Sequence, residues 1–389
     1  MLSISWVLFT VGLCLIFGKI GNELMWRIGF PSVFGEIIVG IIFGNLLFFG
    51  IVDSSHLTLH ENDIFDFLST VGIMFLLFLS GLEIDIHKLK KTEYISIVAA
   101  VFGALFPLIL GYIVLSKFGY TTKESIVGGV ILTATSIGIT ARLLMDLKVL
   151  KTDVGAAAIS ASILDDFLGL ILLILAVGSG SLLGLISEIT VFFIITGYLG
   201  WKLINRYLIF AEKFHIEKTV LSFTIALMFL FSFLSESWFE VAIEGAFMAG
   251  LILSKTSEGK TLAKEIKSIG NSFLIPLFFI YTGARLNLTA FLNHEALILA
   301  TIFIIVGVLS KFVGWGLGAK LMGKWNLKKS IQLASASVPR AEIALINLMI
   351  AVSAGVILEE NISKFIAATL IFVTFSIVIT PPLLKKVFE

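Results

Sequence analysis

The stretch SASILDDFLGLILLILAVG, residues 160–178, places two adjacent carboxylates, Asp165 and Asp166, inside an apolar run. A run of about 20 such residues is long enough to cross the hydrocarbon core of a bilayer as a helix. Each Asp near the middle of such a helix costs about 2.5 to 3.5 kcal/mol, so the pair costs on the order of 6 kcal/mol unless compensated. The sequence therefore predicts that a compensating charge lies elsewhere in the chain.

The composition is that of a membrane protein. Hydrophobic residues make up 58% of the 389 positions and charged residues 14%, against roughly 45 to 50% and 25% in soluble domains. We predict an all-α polytopic membrane protein with thirteen transmembrane helices and no soluble domain between them. The predicted spans are residues 3–26, 31–50, 64–83, 93–116, 124–145, 153–177, 182–205, 219–235, 239–254, 271–286, 296–321, 330–354 and 362–384.

Basic residues mark one side of the predicted membrane topology. Lys and Arg are concentrated in the loops after odd-numbered helices, and Lys385 and Lys386 end the chain. Positively charged loops stay in the cytoplasm. This predicts a multi-pass cell-membrane protein with its N-terminus outside and its C-terminus in the cytoplasm.

The two halves of the chain resemble each other at an offset of about 200 residues, as expected for an internal repeat. Residues 34–44 match 243–254, residues 74–85 match 276–287, and residues 132–141 match 333–342, in the same order. We predict a first repeat over 1–181, a linker helix within 182–218 and a second repeat over 219–389. Six helices per repeat and one linker crossing give the repeats opposite orientations, which is typical of secondary transporters.

The third matching pair predicts two interrupted helices. TATSIGIT, residues 133–140, is rich in small hydroxyl residues, while SASVPRAE, residues 335–342, contains Pro339, which disfavours a continuous helix. Irregular backbone at membrane depth is tolerated only inside protein or beside water, so such breaks predict a polar cavity. Two kinked but continuous helices are the alternative.

Several polar residues are candidates for a site around the Asp pair. Lys311, inside another apolar span, is the best counter-charge, either as a structural partner or as a proton carrier. Ser162 lies one helical turn before Asp166, and Thr133 and Thr135 belong to the first predicted break. Their oxygens suit a hard monovalent cation. Charges that could neutralise the half-helix dipoles at the second break are Arg340 and Glu342.

LTATSIGITARLL followed by ISASILDDFLGL resembles the monovalent cation:proton antiporter superfamily, specifically its bacterial and archaeal Na⁺/H⁺ antiporters of the NapA and NhaA type. The resemblance covers nearly the whole chain. It implies an NhaA-like fold with crossed discontinuous helices, a core domain and a dimerisation domain, a homodimer and elevator-like alternating access. It also implies that Asp166 is the main Na⁺ and proton site, that Asp165 pairs with Lys311 when the cation is absent, and that exchange is electrogenic.

The resulting hypothesis is a Na⁺(Li⁺)/H⁺ antiporter in a lipid bilayer, with no cofactor, no catalytic residue and no nucleic-acid partner. A K⁺/H⁺ antiporter of the same fold is the nearest alternative, because the ligand types hardly separate the two ions. An intramembrane aspartyl protease would also use two acids. It needs them on separate helices that face each other, whereas this chain has them in tandem.

Overall fold

The computed structural model of the protein describes residues 4–46, 63–84, 86–177, 182–239, 242–285, 288 and 294–389, and the regular structure in these ranges is helical. Three short π-helical segments interrupt or extend helices, at Ile194–Leu199, Gly270–Leu274 and Gly318–Met322. The α-helices are α1 (Ile4–Arg27), α2 (Val33–Gly44), α3 (Asp63–Glu83), α4 (Ile86–Lys117), α5 (Thr122–Thr133), α6 (Ile137–Asp146), α7 (Asp153–Val177), α8 (Leu182–Phe193), α9 (Gly200–Glu212), α10 (Thr219–Phe239), α11 (Ala242–Leu253), α12 (Gly259–Ile269), α13 (Ile275–Ala284), α14 (His294–Leu317), α15 (Leu327–Ala336), α16 (Glu342–Ser353) and α17 (Glu359–Phe388).

Many of these helices are long and apolar enough to cross a bilayer. In the described part of the chain, eight helical segments meet that requirement, and shorter apolar helices include α2, α11 and α16. The prediction of an all-helical polytopic membrane protein is therefore confirmed. The count of thirteen spans remains a prediction, since helices of about twelve residues cannot alone cover the roughly 30 Å of hydrocarbon.

Helix α1 shows how the sequence divides protein-facing from outward-facing surface. Its buried positions recur every three or four residues and are mostly small: Val7, Thr10, Cys14, Gly18 and Gly21. The opposite face exposes large apolar side chains, among them Ile16, Ile20 and Leu24. Lipid tails are as apolar as Leu, so an exposed apolar face suits a bilayer while small residues allow helices to approach closely.

The chain forms two compact units, each assembled from separated segments. The first comprises 1–62, 89–180 and 279–389, and the second comprises 63–88 and 181–278. In the first unit α14 packs against α15 and α17, and α5 packs against α7; in the second, α11 packs against α3 and α10. Each unit contains segments from both halves of the chain. The units therefore do not correspond to the two predicted repeats, and the repeats remain a prediction.

Both predicted helix breaks are present in the first unit, and the alternative of continuous helices is wrong. Helix α5 ends at Thr133 and α6 begins at Ile137, where the Ser136 hydroxyl caps the new helix by accepting from the Ile139 N–H at 3.4 Å. Helix α15 ends at Ala336 and α16 begins at Glu342, with Pro339 between them. The hydroxyl-rich stretch thus correctly predicted the first break, and Pro339 correctly predicted the second.

The two breaks lie against each other. The Ser136 N–H donates to the Pro339 carbonyl at 2.9 Å, and the Thr140 hydroxyl donates to the Ala336 carbonyl at 3.0 Å. Each break thus satisfies backbone groups that the other leaves without an intrahelical partner. Such mutual satisfaction is what permits irregular backbone at membrane depth.

Helices α1 and α2 cross through glycine. A Cβ placed on Gly35 would lie 2.1 Å from the backbone carbonyl carbon of Gly21, closer than real Cβ contacts come. The neighbouring atoms are backbone, so they cannot move aside as a flexible side chain would. Gly35 therefore sets the distance between α1 and α2.

We predict that Gly35→Ala destabilises the protein by about 1 to 3 kcal/mol, because the added methyl group overpacks the α1–α2 crossing. Thermal unfolding of the detergent-solubilised protein measures the effect. Gly12→Ala is the matched control, since no described atom lies within 4 Å of a Cβ at that position of α1. Equal unfolding temperatures for the two variants would contradict the close crossing.

Candidate ion-binding site

Asp165 on α7 is the centre of a buried polar network. It is 1% exposed, and its Oδ2 atom contacts the Nζ of Lys311, which lies on α14 and is 0% exposed. The Thr135 hydroxyl donates to the same oxygen at 2.8 Å. A buried ion pair is tolerated only with additional hydrogen bonds of this kind, so the predicted counter-charge and the first helix break meet at one carboxylate.

The first break also supplies a backbone ligand to Lys311. Helix α5 ends at Thr133, whose carbonyl therefore lacks a helical partner and accepts a hydrogen bond from the Lys311 ammonium. The Thr133 hydroxyl instead donates to the Val130 carbonyl at 2.7 Å. Of the two kinds of oxygen that the first break offers, Thr133 thus contributes its backbone carbonyl to Lys311 and not its hydroxyl.

Asp166 and Ser162 lie on the same helix as Asp165. Asp166 is 7% exposed and Ser162 is 0% exposed. Among the described residues, the Ser162 hydroxyl and the Oδ1 atom of Asp165 have no hydrogen-bond partner. A Cβ on Gly169 would lie 3.5 Å from the Thr133 hydroxyl, so this part of α7 faces the end of α5. The helix therefore places the Asp165 carboxylate beside the first break.

Arg340 occupies the second break and is 0% exposed. Its guanidinium donates to the carbonyl oxygens of Ser337 at 2.5 Å, Val338 at 3.0 Å and Pro339 at 3.2 Å, and to that of Gly307 on α14 at 3.2 Å. These carbonyls follow the C-terminal end of α15, where a positive charge is favourable. The other predicted residue of this break, Glu342, has its side chain outside the described residues.

Sequence reasoning placed Ser136 and Thr140 in the first break but did not identify the contacts that hold the two breaks together. Ser136 and Thr140 connect the first break to the second, and Ser376 of α17 accepts a hydrogen bond from the Arg340 N–H at 2.9 Å. Ser136 and Thr140 belong to the hydroxyl-rich stretch that predicted the first break, but the stretch does not indicate their partners in the second. Ser376 lies in an otherwise apolar helix, and nothing in the sequence indicates its partner.

Comparisons with known proteins agree with this architecture. A family model described as "Sodium/hydrogen exchanger, transmembrane" matches residues 12–386. The chain is 31% identical over 388 residues to a probable Na(+)/H(+) antiporter, GerT, of Bacillus cereus, covering 98% of this chain and 99% of that protein. It is 30% identical over 385 residues to the Na(+)/H(+)-K(+) antiporter GerN of Bacillus cereus, with 98% and 96% covered. It is also 30% identical over 429 residues to the high-affinity Na(+)/H(+) antiporter NhaS3 of Synechocystis, with 100% and 91% covered.

We predict that Lys311→Met costs about 3 to 5 kcal/mol of stability, because it leaves the Asp165 carboxylate buried without its cation. The double variant Lys311→Met/Asp165→Asn removes both charges and is expected to regain most of that loss. Thermal unfolding in detergent compares the stability of the wild type, the single variant and the double variant.

The exposed pair of Arg27 and Glu23, 2.9 Å apart with side chains 69% and 53% exposed, supplies the control. Arg27→Met is expected to change stability little, since exposed pairs contribute little. If the double variant were as unstable as Lys311→Met alone, the buried pair would not be the source of the loss.

Proposed function

Because the chain belongs to the sodium/hydrogen exchanger family, we propose that it is a secondary active Na⁺(Li⁺)/H⁺ antiporter in which cation and protons compete for Asp165 and Asp166. The observation that carries this proposal is a buried carboxylate, Asp165, held by Lys311 and Thr135 where two broken helices meet. The names of the relatives support the two substrates. The aspartyl protease alternative has no support, since both acids lie on α7.

Competition at the Asp pair follows from the energy of charge in hydrocarbon. A bare carboxylate at membrane depth is costly, and either a proton or a bound cation neutralises it. A site occupied by one of these ligands can therefore cross the low-dielectric barrier, while the bare anion cannot. Arrival of a cation displaces protons and arrival of protons displaces the cation, so exchange needs no energy source beyond the gradients.

The observed pairing of Lys311 with Asp165 represents the cation-free site in this proposal. Asp166, the neighbouring acid, is the main cation ligand, and Ser162, Thr133 and Asp165 supply further oxygen atoms. Of these, the Ser162 hydroxyl and Oδ1 of Asp165 have no hydrogen-bond partner among the described residues. Carboxylate, hydroxyl and carbonyl oxygens are suited to hard cations. When a cation binds, Asp165 turns towards it, and Lys311 loses its partner and releases a proton.

Two acids and one Lys give room for more than one proton per cation. In the cation-free site Asp166 carries a proton, and the Asp165 carboxylate pairs with the protonated Lys311. Release of a proton from Lys311 as well as from Asp166 for each Na⁺ taken up makes the exchange electrogenic. Such a cluster titrates as a coupled unit, so its protons belong to the group of residues.

The larger architecture of the proposal is that of transporters with inverted repeats. It comprises thirteen spans, repeats over 1–181 and 219–389 joined by 182–218, an N-terminus outside and a homodimer. The meeting of two helix breaks, one in each repeat, is the feature that supports it. In this class of protein the broken helices carry the ion site near the midplane, and an elevator-like movement of a core domain against a dimerisation domain gives alternating access.

Exchange in proteoliposomes tests the function. With a pH dye inside and an imposed proton gradient, we expect Na⁺ and Li⁺ to dissipate the gradient in the wild type and not in Asp166→Asn. The control is Asp153→Asn, at the first position of the same helix, where the carboxylate is paired with Lys91 at 3.0 Å. This variant should exchange like the wild type.

Each alternative outcome has a distinct meaning. Dissipation by K⁺ alone would favour the K⁺/H⁺ antiporter, which the names of the relatives do not favour. Wild-type exchange by Asp166→Asn would place the site elsewhere and reject the shared-carboxylate mechanism. Exchange that generates no membrane potential would reject the electrogenic part only.

A further inference from the structure

A second buried acid lies away from the Asp pair, at the contact of α1 and α2. Glu36 on α2 is 0% exposed. Its Oε1 atom accepts a hydrogen bond from the side-chain amide of Asn22 at 2.7 Å. Lys19 Nζ is 3.7 Å from the same oxygen, with a side chain that is 49% exposed. The amide is therefore the close partner of Glu36, and the ammonium lies beyond ordinary hydrogen-bond distance.

Glu36 and Asn22 each have a second side-chain oxygen atom that lacks a hydrogen-bond partner. Within the described part of the chain, neither Oε2 of Glu36 nor Oδ1 of Asn22 has a hydrogen-bond partner, and both atoms are buried. Both are acceptors when Glu36 is ionised, so neither can satisfy the other. Buried polar atoms are almost always hydrogen-bonded. An ionised Glu36 therefore leaves two adjacent side chains with one unsatisfied acceptor each.

A single proton removes both deficits. A carboxylic acid donates one hydrogen bond and keeps its carbonyl oxygen as an acceptor. With the proton on Oε2, Glu36 can donate to Oδ1 of Asn22 while Asn22 donates to Oε1, which closes a ring of two hydrogen bonds. We propose that Glu36 and Asn22 form a second proton-binding site, in which Glu36 is a neutral carboxylic acid at neutral pH.

Another fully buried glutamate in the same unit shows the opposite arrangement. Glu124, also 0% exposed, accepts four hydrogen bonds: from the Thr121 N–H at 3.0 Å, the Thr121 hydroxyl at 2.8 Å, the Leu358 N–H at 3.2 Å and the Asn361 amide at 2.8 Å. Four donors suit a carboxylate. The environment of Glu36, with one close donor and one neighbouring acceptor, suits the acid.

The charges around Glu36 do not replace the missing donor. Those that act on it are Lys19 of α1 and Arg142 and Asp146 of α6. Arg142 is already paired with Asp146 at 3.1 Å, and Asp146 also accepts from the Ser32 hydroxyl at 3.0 Å. This pair is neutral as a whole, and Lys19 is half-exposed, so water or lipid head groups screen its charge. Helix α13 adds apolar side chains to this region, those of Phe279 and Ile280.

The ligand of this site is a proton and not a metal cation. The two free oxygens are far fewer than the six or so ligands that hard cations such as Ca²⁺ and Mg²⁺ take. Lys19 further disfavours a second cation in the same place. The site goes beyond the proposed antiport and does not depend on it, since the hydrogen bond and ion pair described above for Glu36 join it to Asn22 and Lys19 of α1 and not to the Asp pair's network.

Infrared spectroscopy of the purified, reconstituted protein tests the proposal directly. A protonated carboxyl group has a carbonyl stretching band that is separate from that of a carboxylate. We expect the wild type at neutral pH to show such a band that is lost in Glu36→Gln. Glu124→Gln is the matched control and should remove no such band, because its carboxyl group is already ionised.

A second variant covers the case in which Glu36→Gln fails to fold. Asn22→Ala removes the acceptor for the acid proton, so the Glu36 band should persist and move to higher frequency, as expected for a weaker hydrogen bond. An identical protonated-carboxyl spectrum for the wild type and either variant at neutral pH would overturn the proposal. In that case Glu36 is ionised, and a water molecule or cation completes its coordination. Neither readout requires transport, so failure here and failure of the antiport proposal are distinguishable.

Discussion

A charge in the interior of a membrane protein must meet a partner, and the ion pair between Lys311 and Asp165 is the contact on which the site depends. It joins α14 to α7, and the Lys311 ammonium also binds the last carbonyl of α5. Breaking such a pair leaves an uncompensated charge, which costs more than the intact pair contributes to stability. The pair therefore holds three helices in one arrangement.

The same rule extends to the backbone. Helices that stop inside a membrane protein leave carbonyl and N–H groups without partners. Here the two breaks bind each other through Ser136 and Thr140, and Arg340 neutralises the carbonyls that follow α15. Lys311 and Arg340 thus serve corresponding ends of α5 and α15. An interrupted helix is stable inside the protein because side chains and backbone groups around the break replace its missing hydrogen bonds.

Much of the site could be predicted because buried charges stand out against an apolar sequence. Asp165, Asp166, Lys311 and Arg340 were all identified this way, and Pro339 with the hydroxyl-rich stretch marked the breaks. The partners of these residues could not be predicted where they are backbone carbonyls or single hydroxyl groups. The carbonyl of Gly307 and the hydroxyl of Ser376 carry no signal in the sequence. The number of membrane spans could not be predicted as securely. Hydropathy reports the length of an apolar segment and not where a helix ends, so it does not reveal that α2, α11 and α16 are short.

The sequence by itself determined the helical class, the interrupted helices and the presence of costly acids in apolar segments, because these follow from local hydrophobicity and backbone chemistry. Only the tertiary structure decided which atoms meet. It assigned the backbone of Thr133 rather than its hydroxyl to Lys311, and it paired Glu36 with Asn22 on another helix. Hydrogen bonds between helices depend on packing angles and small residues such as Gly35, and several residues distant in sequence set these together.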